Sequence, residues 1–147
     1  MAYDRQKLQS ELIRDEGLRL TAYRDTLGHL TIGVGHLILR GEHFTTITRE
    51  QAMALLDQDI AISERRLSNI FPPWRSIDEV RQLAMLNLTF NLGYKLAAFK
   101  RFLHAAKSGD WEKAADQLMQ SRWYKQVKWR GPRIVHAIRT GTEWSGV

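Results

Sequence analysis

Residues 11–38 read ELIRDEGLRLTAYRDTLGHLTIGVGHLI, and the hydrophobic pattern changes within this stretch. Up to Gly17 the apolar residues, such as Leu8 and Leu12, recur on one face of a helix. Beyond Gly17, threonine, tyrosine, isoleucine and valine are interleaved with glycine, as is typical of short strands and turns. The sequence therefore predicts a helix that ends at Gly17, followed by an antiparallel hairpin that turns at residues 25–28.

Signals for helices dominate the rest of the chain. The spacing of a capping box, in which two side chains bond each other's backbone amides, occurs at Thr48 with Gln51 and at Ser76 with Glu79. Asp110 is a favoured N-cap directly before Trp111, and Pro132 suits the first turn of a last helix. This order of helix, small sheet and several helices predicts an α+β fold that is mostly helical.

The length of 147 residues suits one domain. We expect residues 1–147 to form it, with a small antiparallel β lobe at about 18–47. The helical lobe, at about 48–147, would also include the N-terminal helix. A sheet of this size is not stable alone and must pack against helices, so a cleft between the two lobes is the expected place for a ligand.

The composition excludes several classes of protein. Hydrophobic residues make up 44% of the chain and charged residues 26%, as in globular rather than disordered proteins. Cysteine is absent, which excludes disulfides and thiolate metal sites. Residues 1–17 are charged throughout, and no apolar stretch approaches the length that spans a bilayer. We therefore expect neither a signal peptide nor a transmembrane segment.

The charge of the chain favours anionic partners. Its formal net charge is +6, which attracts nucleic acid, anionic lipid or an anionic cell envelope, and charge alone does not choose among them. The basic, aromatic segment at 122–139, RWYKQVKWRGPRIVHAIR, could bind nucleic acid through arginine, lysine and stacking rings. It could also form a membrane-active amphipathic helix.

Three polar residues near the hairpin could carry hydrolytic chemistry. Glu16 lies at the end of the first helix, Asp25 at the hairpin tip and Thr31 on the return strand. Hydrolysis of a glycosidic bond needs an acid on the leaving oxygen and a second carboxylate opposite. The negative end of the helix dipole favours the protonated form of Glu16, whereas Asp25, in a turn open to water, should stay ionised. Because the chain has 16 acidic residues, this spacing alone does not identify a glycosidase.

The same segment closely resembles the catalytic segment of the T-even phage lysozyme family. It has that family's pattern of a glutamate, eight residues, an aspartate, five residues and a threonine. The threonine begins the sequence Thr-Ile-Gly-x-Gly-His, which the family also has. The resemblance continues in order through LNLTFNLGY at 86–94, DWEKAADQL at 110–118, SRWY at 121–124 and RTGT at 139–142. It covers nearly the whole chain. The main departure lies between His36 and Asp59, where T-even members have a longer connection in the β lobe.

The resemblance implies a lysozyme-like fold and a glycoside hydrolase. Such an N-acetylmuramidase cuts the β-1,4 bond between N-acetylmuramic acid and N-acetylglucosamine in bacterial peptidoglycan, by an inverting mechanism. The resemblance implies that Glu16 is the general acid, that Asp25 is the second carboxylate and that Thr31 helps to place the attacking water. Arg130 corresponds to the arginine that pairs with the acid. Judged from the residues alone, Arg130 would be a surface charge in the basic segment.

Two other pairs of residues resemble structural ion pairs of the family. They are His36 with Asp59, and Asp15 with Arg133, which would join the first and last helices. For His36 the alternatives are a metal ligand or a catalytic base, but no second histidine or cysteine stands at ligand spacing. We therefore expect no metal and no other cofactor.

Four residues match family positions that contact the substrate: Leu37, Phe90, Phe102 and Gln117. Gln117 keeps an amide function. Phe102 stands where the T-even enzyme has a small or amide polar residue, so a place in the core or at the rim of the cleft is the alternative for its ring. Phe90 lies at helical spacing from Leu83 and Leu86, so a place in the core is the alternative for its ring too.

The resemblance also implies a biological role, that of a phage endolysin that causes lysis of the host cell. We expect peptidoglycan as the substrate, attraction to the anionic envelope through the positive charge, and a monomer. We expect no nucleic-acid partner and no stable insertion into a membrane. The protein would stay in the host cytoplasm until a separate pore-forming protein releases it, and would then act on the cell wall from the periplasm.

Among enzymes, the alternative is a lytic transglycosylase. This class uses a glutamic acid on the same substrate but forms an anhydro sugar without water. The presence of Asp25 and Thr31, at the positions that place a water, argues against it. A chitinase is a weaker alternative.

Overall fold

The computed structural model describes residues 2–144. Its elements follow in the order α1 (Arg5–Glu16), β1 (Arg19–Arg24), β2 (Leu30–Gly33), β3 (His36–Leu37), α2 (Arg49–Ile70), α3 (Glu79–Leu92), α4 (Lys100–Lys107), α5 (Trp111–Met119), α6 (Arg122–Gln126) and α7 (Arg130–Thr140). Two 3₁₀ segments, Pro72–Ser76 and Gly93–Ala98, flank α3. Helices with one small antiparallel sheet confirm the predicted α+β class.

The chain divides into two compact units, one of Arg5–Ile62 and the other of Met1–Asp4 with Ser63–Val147. Within the first unit, α1 is bonded to α2, since Arg5 Nη2 donates to Asp57 O (2.9 Å) and Gln9 Nε2 donates to Asp57 Oδ1 (2.6 Å). The lobe bounds expected from the sequence stay a prediction. The boundary falls within α2, and the single-domain organisation stays a prediction.

In the first unit, α1 ends where the sequence predicts. Gly17 has φ +80°, a left-handed conformation that favours glycine, and its amide donates to Ile13 O (2.8 Å). Leu8 and Leu12 are buried. The helix therefore stops with Glu16 as its last residue, directly before β1.

The sheet of this unit has the strand order β1-β2-β3, and both pairings are antiparallel. The predicted hairpin turn is confirmed by the Gly28 amide, which donates to Asp25 O (2.9 Å). The strand β3 has only two residues, which carry no periodic signal in the sequence. Behind the sheet lies a small core that the side chains of Ile32, Ile47 and Ala52 form.

In the second unit, α3 is the central helix. Every residue from Gln82 to Thr89 is buried, which is the pattern of a helix covered on all sides. Both α3 and α5 pack against α7, and α4 packs against α5. These contacts build the helical core of the second unit.

The helix starts test the capping predictions. Thr48 and Gln51 form the predicted reciprocal pair, with the Thr48 amide 2.8 Å from Gln51 Oε1 and the Gln51 amide 3.1 Å from Thr48 Oγ1. Asp110 caps α5 as predicted, accepting from the Lys113 amide (3.1 Å). The box at Ser76 was wrong, because Asp78 caps α3 instead and accepts from the Arg81 amide (3.1 Å). Ser76 belongs to the preceding 3₁₀ segment and so starts no helix.

Among the helices that residues 2–144 form, none combines the length and the apolar character needed to cross a membrane.

Candidate active site

Glu16 lies against the backbone just before β3. A Cβ atom built on Gly35 would be 2.6 Å from Glu16 Oε1 and 2.9 Å from its Cδ, and Gly35 has φ +65°. A side chain at position 35 would therefore meet the carboxyl group directly. The end of α1 and the turn between β2 and β3 together fix the space that the Glu16 carboxyl occupies.

Asp25 organises the hairpin turn with one of its two oxygens. Oδ1 accepts hydrogen bonds from the amides of Leu27 (2.9 Å) and His29 (2.8 Å), while His29 Nδ1 lies 3.5 Å from Oδ2. Burial acts to raise the pKa of Asp25, but the amide bonds from His29 and Leu27 and the His29 ring outweigh it, so the pKa lies below its ordinary value. Asp25 therefore keeps its negative charge to lower pH than an unperturbed aspartate.

Thr31 stands in the middle of a row of paired residues that crosses the sheet. Its pairing partners are Tyr23 of β1 and Leu37 of β3, so the three side chains share one face. Thr31 is buried, and its Oγ1 donates to His29 O (2.9 Å). This single donation leaves the hydroxyl oxygen able to accept a hydrogen bond.

Tyr23 connects this row to both carboxylates. Burial raises the pKa of Tyr23; the negative charge of Glu16 raises it further, Arg19 lowers it, and Asp25 raises it. The Arg19 guanidinium lies 4.2 Å from the centre of the Tyr23 ring. The phenol thus lies within electrostatic reach of both acidic candidates, and it stays neutral at physiological pH.

His36 is held between two carboxylates. Its Nδ1 lies 2.7 Å from Asp59 Oδ2 and its Nε2 lies 3.0 Å from Glu42 Oε1. The hydrogen bond with Asp59 is the largest influence on the pKa of His36, which is raised despite the opposing effect of burial. The pKa of Glu42 is lowered, first by the hydrogen bond from the Leu39 amide. Sequence reasoning missed Glu42, whose only signal is its position in the loop after β3.

Arg130 is not a surface charge. It is 6% exposed, and its Nε donates to Asn87 Oδ1 of α3 (2.9 Å). The surface alternative for this residue is therefore wrong, and no sequence signal pointed to Asn87. The pairs Glu16 with Arg130 and Asp15 with Arg133 join different units and stay predictions.

The four candidate substrate residues differ in exposure. Leu37 is 46% exposed on the face that it shares with Thr31, and Phe90 is half-buried in α3. Phe102 is 1% exposed, so its ring belongs to the core and little of it could touch a sugar. This agrees with the alternative of a place in the core rather than with a substrate contact. Gln117 and the edge of Phe102 line one surface depression of about 500 Å³.

The basic segment at 122–139 does not form one helix. It divides into α6 and α7, and residues 127–129 lie between them. Arg139 is paired with Glu112 and Asp116 of α5, and Arg130 is buried. Two alternatives were open for this segment, a nucleic-acid site and a continuous membrane-active helix, and both need exposed unpaired cations along its length. The ion pairs of Arg139 and the burial of Arg130 leave two fewer such cations.

Within residues 2–144, no three histidine or acidic side chains are grouped so that they could hold a metal ion. The cluster at His36 has its two ring nitrogens taken by carboxylate oxygens.

Comparison with known proteins decides the family. Residues 14–137 match the family described as phage lysozyme. The chain belongs to the phage lysozyme family. The match includes Glu16, Asp25 and Thr31, and membership of this family supports a lysozyme or endolysin function and a glycosidase activity.

Relatives of this phage lysozyme family member include proteins of phages and of Dictyostelium discoideum. The chain is 37% identical to the pre-baseplate central spike protein Gp5 of Enterobacteria phage T4, over 88% of this chain but 27% of that protein. It is 32% identical to an endolysin of Salmonella phage P22, over 81% of this chain and 82% of the other. It is 27% identical to the probable T4-type lysozyme 1 of Dictyostelium discoideum, over 87% and 91%.

Proposed function

We propose that this phage lysozyme family member is an N-acetylmuramidase that hydrolyses the β-1,4 bond between N-acetylmuramic acid and N-acetylglucosamine in bacterial peptidoglycan. Glu16 is the general acid, Asp25 the base and Thr31 the hydroxyl that helps to hold the water. In the cell, the proposed role is that of an endolysin acting on the wall as a monomer, with no nucleic-acid partner.

The observation that carries this proposal is the neighbourhood of Tyr23. Thr31 is its pairing partner across the sheet, and the charges of both Glu16 and Asp25 act on its phenol. The charges of two carboxyl groups therefore act on one side chain that is paired with Thr31, although these groups come from a helix end, a turn and a strand. Two carboxyl groups near one site are what glycoside hydrolysis requires.

The two carboxylates have different surroundings, which supports different roles for them. Asp25 has a lowered pKa and accepts two amide hydrogen bonds at Oδ1. Its Oδ2 lies 3.5 Å from the His29 ring and retains capacity to accept a proton from water. Glu16 lies against the Gly35 backbone at the end of α1. In glycosidases, one carboxyl group is the acid and the other stays ionised, and the different surroundings of Glu16 and Asp25 match these two roles.

Thr31 supports a water rather than a covalent intermediate. Its hydroxyl hydrogen is directed to His29 O, so its oxygen can accept a hydrogen from a water molecule. A second acceptor, Asp25 Oδ2, would take the other hydrogen and leave the oxygen of the water to attack the sugar carbon. This arrangement favours hydrolysis with inversion over direct attack by Asp25, and over a transglycosylase, which excludes water from this step.

The proposal is tested with Glu16→Gln and a matched control, Glu50→Gln, on purified peptidoglycan. Glu50 is an exposed glutamate in the first turn of α2, so the control removes the same charge from a surface site. We expect Glu16→Gln to lose activity by about 10²–10⁴-fold, the contribution of a general acid, with an unchanged unfolding midpoint. Mass spectrometry should find N-acetylmuramic acid at the new reducing ends. N-acetylglucosamine there, or full activity in Glu16→Gln, would show that the proposal is wrong.

A further inference from the structure

The backbone of His29 joins the two residues that hold the water in the proposed reaction. Its amide donates to Asp25 Oδ1 (2.8 Å), and its carbonyl oxygen accepts from the Asp25 amide (2.9 Å) and from Thr31 Oγ1 (2.9 Å). One residue thus fixes the positions of the Asp25 carboxyl group and of the Thr31 hydroxyl together. Because all three bonds use backbone atoms of His29, they do not depend on the identity of its side chain.

The ring of His29 lies beside the other oxygen of Asp25. Its Nδ1 is 3.5 Å from Asp25 Oδ2, and the His29 side chain is 56% exposed. This distance is longer than that of a normal hydrogen bond, and an exposed ring can rotate to shorten it. In the proposed reaction Oδ2 accepts a hydrogen of the attacking water. The His29 ring and this water therefore compete for the same acceptor.

The charged and titratable side chains next to this pair in the first unit are Glu16 at the end of α1, and Arg19, Tyr23 and Arg24 on β1. On β3, the residue that shares the face of Thr31 is the apolar Leu37. Arginine stays protonated at any physiological pH. Among these types of side chain, histidine is the one that ordinarily changes its charge between about pH 5 and pH 8. A change of charge beside Asp25 in that range is therefore a property of His29.

We propose that His29 is a positioning residue that controls the access of the attacking water to the proposed base, Asp25. When the His29 ring is protonated, Nδ1–H donates to Asp25 Oδ2 and occupies the acceptor. When the ring is neutral, this attraction is weak and Oδ2 is open to the water. The inference rests on the proposed function, because it takes Asp25 as the base, and it adds a residue outside the three that carry the proposed chemistry.

The direction of the pH effect follows from the charges of the pair. The pKa of Asp25 lies below its ordinary value, because burial is outweighed by the amide hydrogen bonds, so Asp25 is ionised throughout this range. A protonated ring attracts this carboxylate, and a neutral ring does not. The rate should therefore rise as the pH increases through about 6.5, where histidine ordinarily loses its proton. An exposed ion pair of this kind corresponds to a factor of about two to five.

The test measures kcat and KM on a β-linked muramyl oligosaccharide between about pH 5 and pH 8. His29→Gln removes the titrating ring and keeps a polar side chain, whereas His29→Lys carries a positive charge over the whole range. His43→Gln is the matched control, since His43 is an exposed histidine in the loop after β3. Each rate is divided by that of the wild type at the same pH. Any titration of Glu16 is common to all the proteins and cancels in these ratios.

We expect the kcat ratio of His29→Gln to the wild type to fall from about three at pH 5 to about one at pH 8, with KM unchanged. His29→Lys should stay about threefold slower than His29→Gln at every pH. A purely structural role of the side chain would instead change kcat by one factor at all pH values. A constant ratio for His29→Gln, equal rates for His29→Lys and His29→Gln, or the same pH-dependent change in His43→Gln would each overturn the inference.

Asp25→Asn in the same series separates this inference from the proposed function. On an Asp25→Asn background, adding His29→Gln should leave the residual rate unchanged at every pH, because the acceptor for which ring and water compete has lost its charge. Loss of activity in Asp25→Asn together with a constant ratio for His29→Gln would leave the proposed function intact and overturn the inference alone. Full activity in Asp25→Asn would show that Asp25 is not the base, and would overturn both.

Discussion

Gly35 and Glu16 are in such close contact that no side chain fits between them, since a Cβ atom at position 35 would lie 2.6 Å from Glu16 Oε1. Gly35→Ala should therefore displace the carboxyl group from its place at the end of α1. Because a shift of about 1 Å in a catalytic group can cost 10²-fold in rate, we expect kcat to fall by about that factor.

Gly41→Ala is the matched control for this substitution. Gly41 also has a positive φ, +92°, but nothing lies within 4 Å of the position that its Cβ would take. Both substitutions strain the backbone and should lower the free energy of unfolding by about 1 kcal/mol. Only Gly35→Ala should lower kcat. Equal kcat values for the two variants would contradict the importance of the Glu16 position.

Asp25 and Thr31 can be separated by their chemistry. Asp25→Asn removes the proposed base and should lower kcat by about 10²–10⁴-fold. Thr31→Val keeps the shape of the side chain but loses the hydroxyl, and should lower kcat less, by about tenfold, the loss of one hydrogen bond. Thr31→Ser retains the hydroxyl and should recover most of the rate. If Thr31→Val is as active as Thr31→Ser, the hydroxyl does not hold the water.

The His36 cluster should make stability depend on pH. The pKa of His36 is raised in the folded protein by Asp59 first and then, against burial, by Glu42. The stabilisation from its protonated form is therefore complete below the unfolded pKa of histidine, about 6.5, and is lost as the pH rises through the folded pKa. Unfolding by urea at a series of pH values from about 5 to 10 measures this loss.

Asp59→Asn should remove most of this dependence, and should lower the free energy of unfolding by about 1–3 kcal/mol at pH 5. Glu42→Gln should have a smaller effect, because its contact with His36 is longer. His43 is exposed, and His43→Gln provides the control for loss of a histidine. A pH profile for Asp59→Asn that matches the wild type would show that the cluster does not bind its proton more tightly in the fold.

Arg130 and Asn87 allow structural and catalytic effects to be distinguished. The Nε of buried Arg130 donates to Asn87 Oδ1, so Asn87→Ala should lower the free energy of unfolding by about 1–3 kcal/mol. Arg130→Ala should be at least as destabilising. If Arg130 also acts on the acid, as the family resemblance implies, Arg130→Ala alone should lower the rate per folded molecule by about tenfold or more. Equal rates per folded molecule in both variants would limit Arg130 to a structural role.

The sequence predicted those features that depend on neighbours in the chain. Gly17 ends α1, Asp110 caps α5 and the turn at Asp25 closes the hairpin, because each of these relies on residues within about four positions. The prediction that Ser76 caps α3 failed, because Asp78 is the cap. Both positions suit a cap locally, and the 3₁₀ segment that includes Ser76 decides between them.

The hydrophobic and charge patterns of the sequence did not predict contacts between residues that are far apart in the chain. The burial of Arg130 depends on Asn87, 43 positions away, and the same basic segment looks solvated when only its charges are counted. The pairing of Tyr23 with Thr31, next to the charges of both carboxylates that act on its phenol, depends on the strand register. For Glu16, Asp25 and Thr31, the family resemblance supplied the roles that spacing among 16 acidic residues did not.

The configuration of the first-formed product tests the central claim most directly, because it depends on Glu16, Asp25 and Thr31 together. A β-linked muramyl oligosaccharide is digested in an NMR tube, and the anomeric signals are recorded before mutarotation. The account predicts the α-anomer of N-acetylmuramic acid, formed when water held by Asp25 and Thr31 attacks opposite the leaving group. A β-anomer would mean that Asp25 attacks the sugar itself, and a 1,6-anhydro sugar would mean that no water is used; either product would contradict the account.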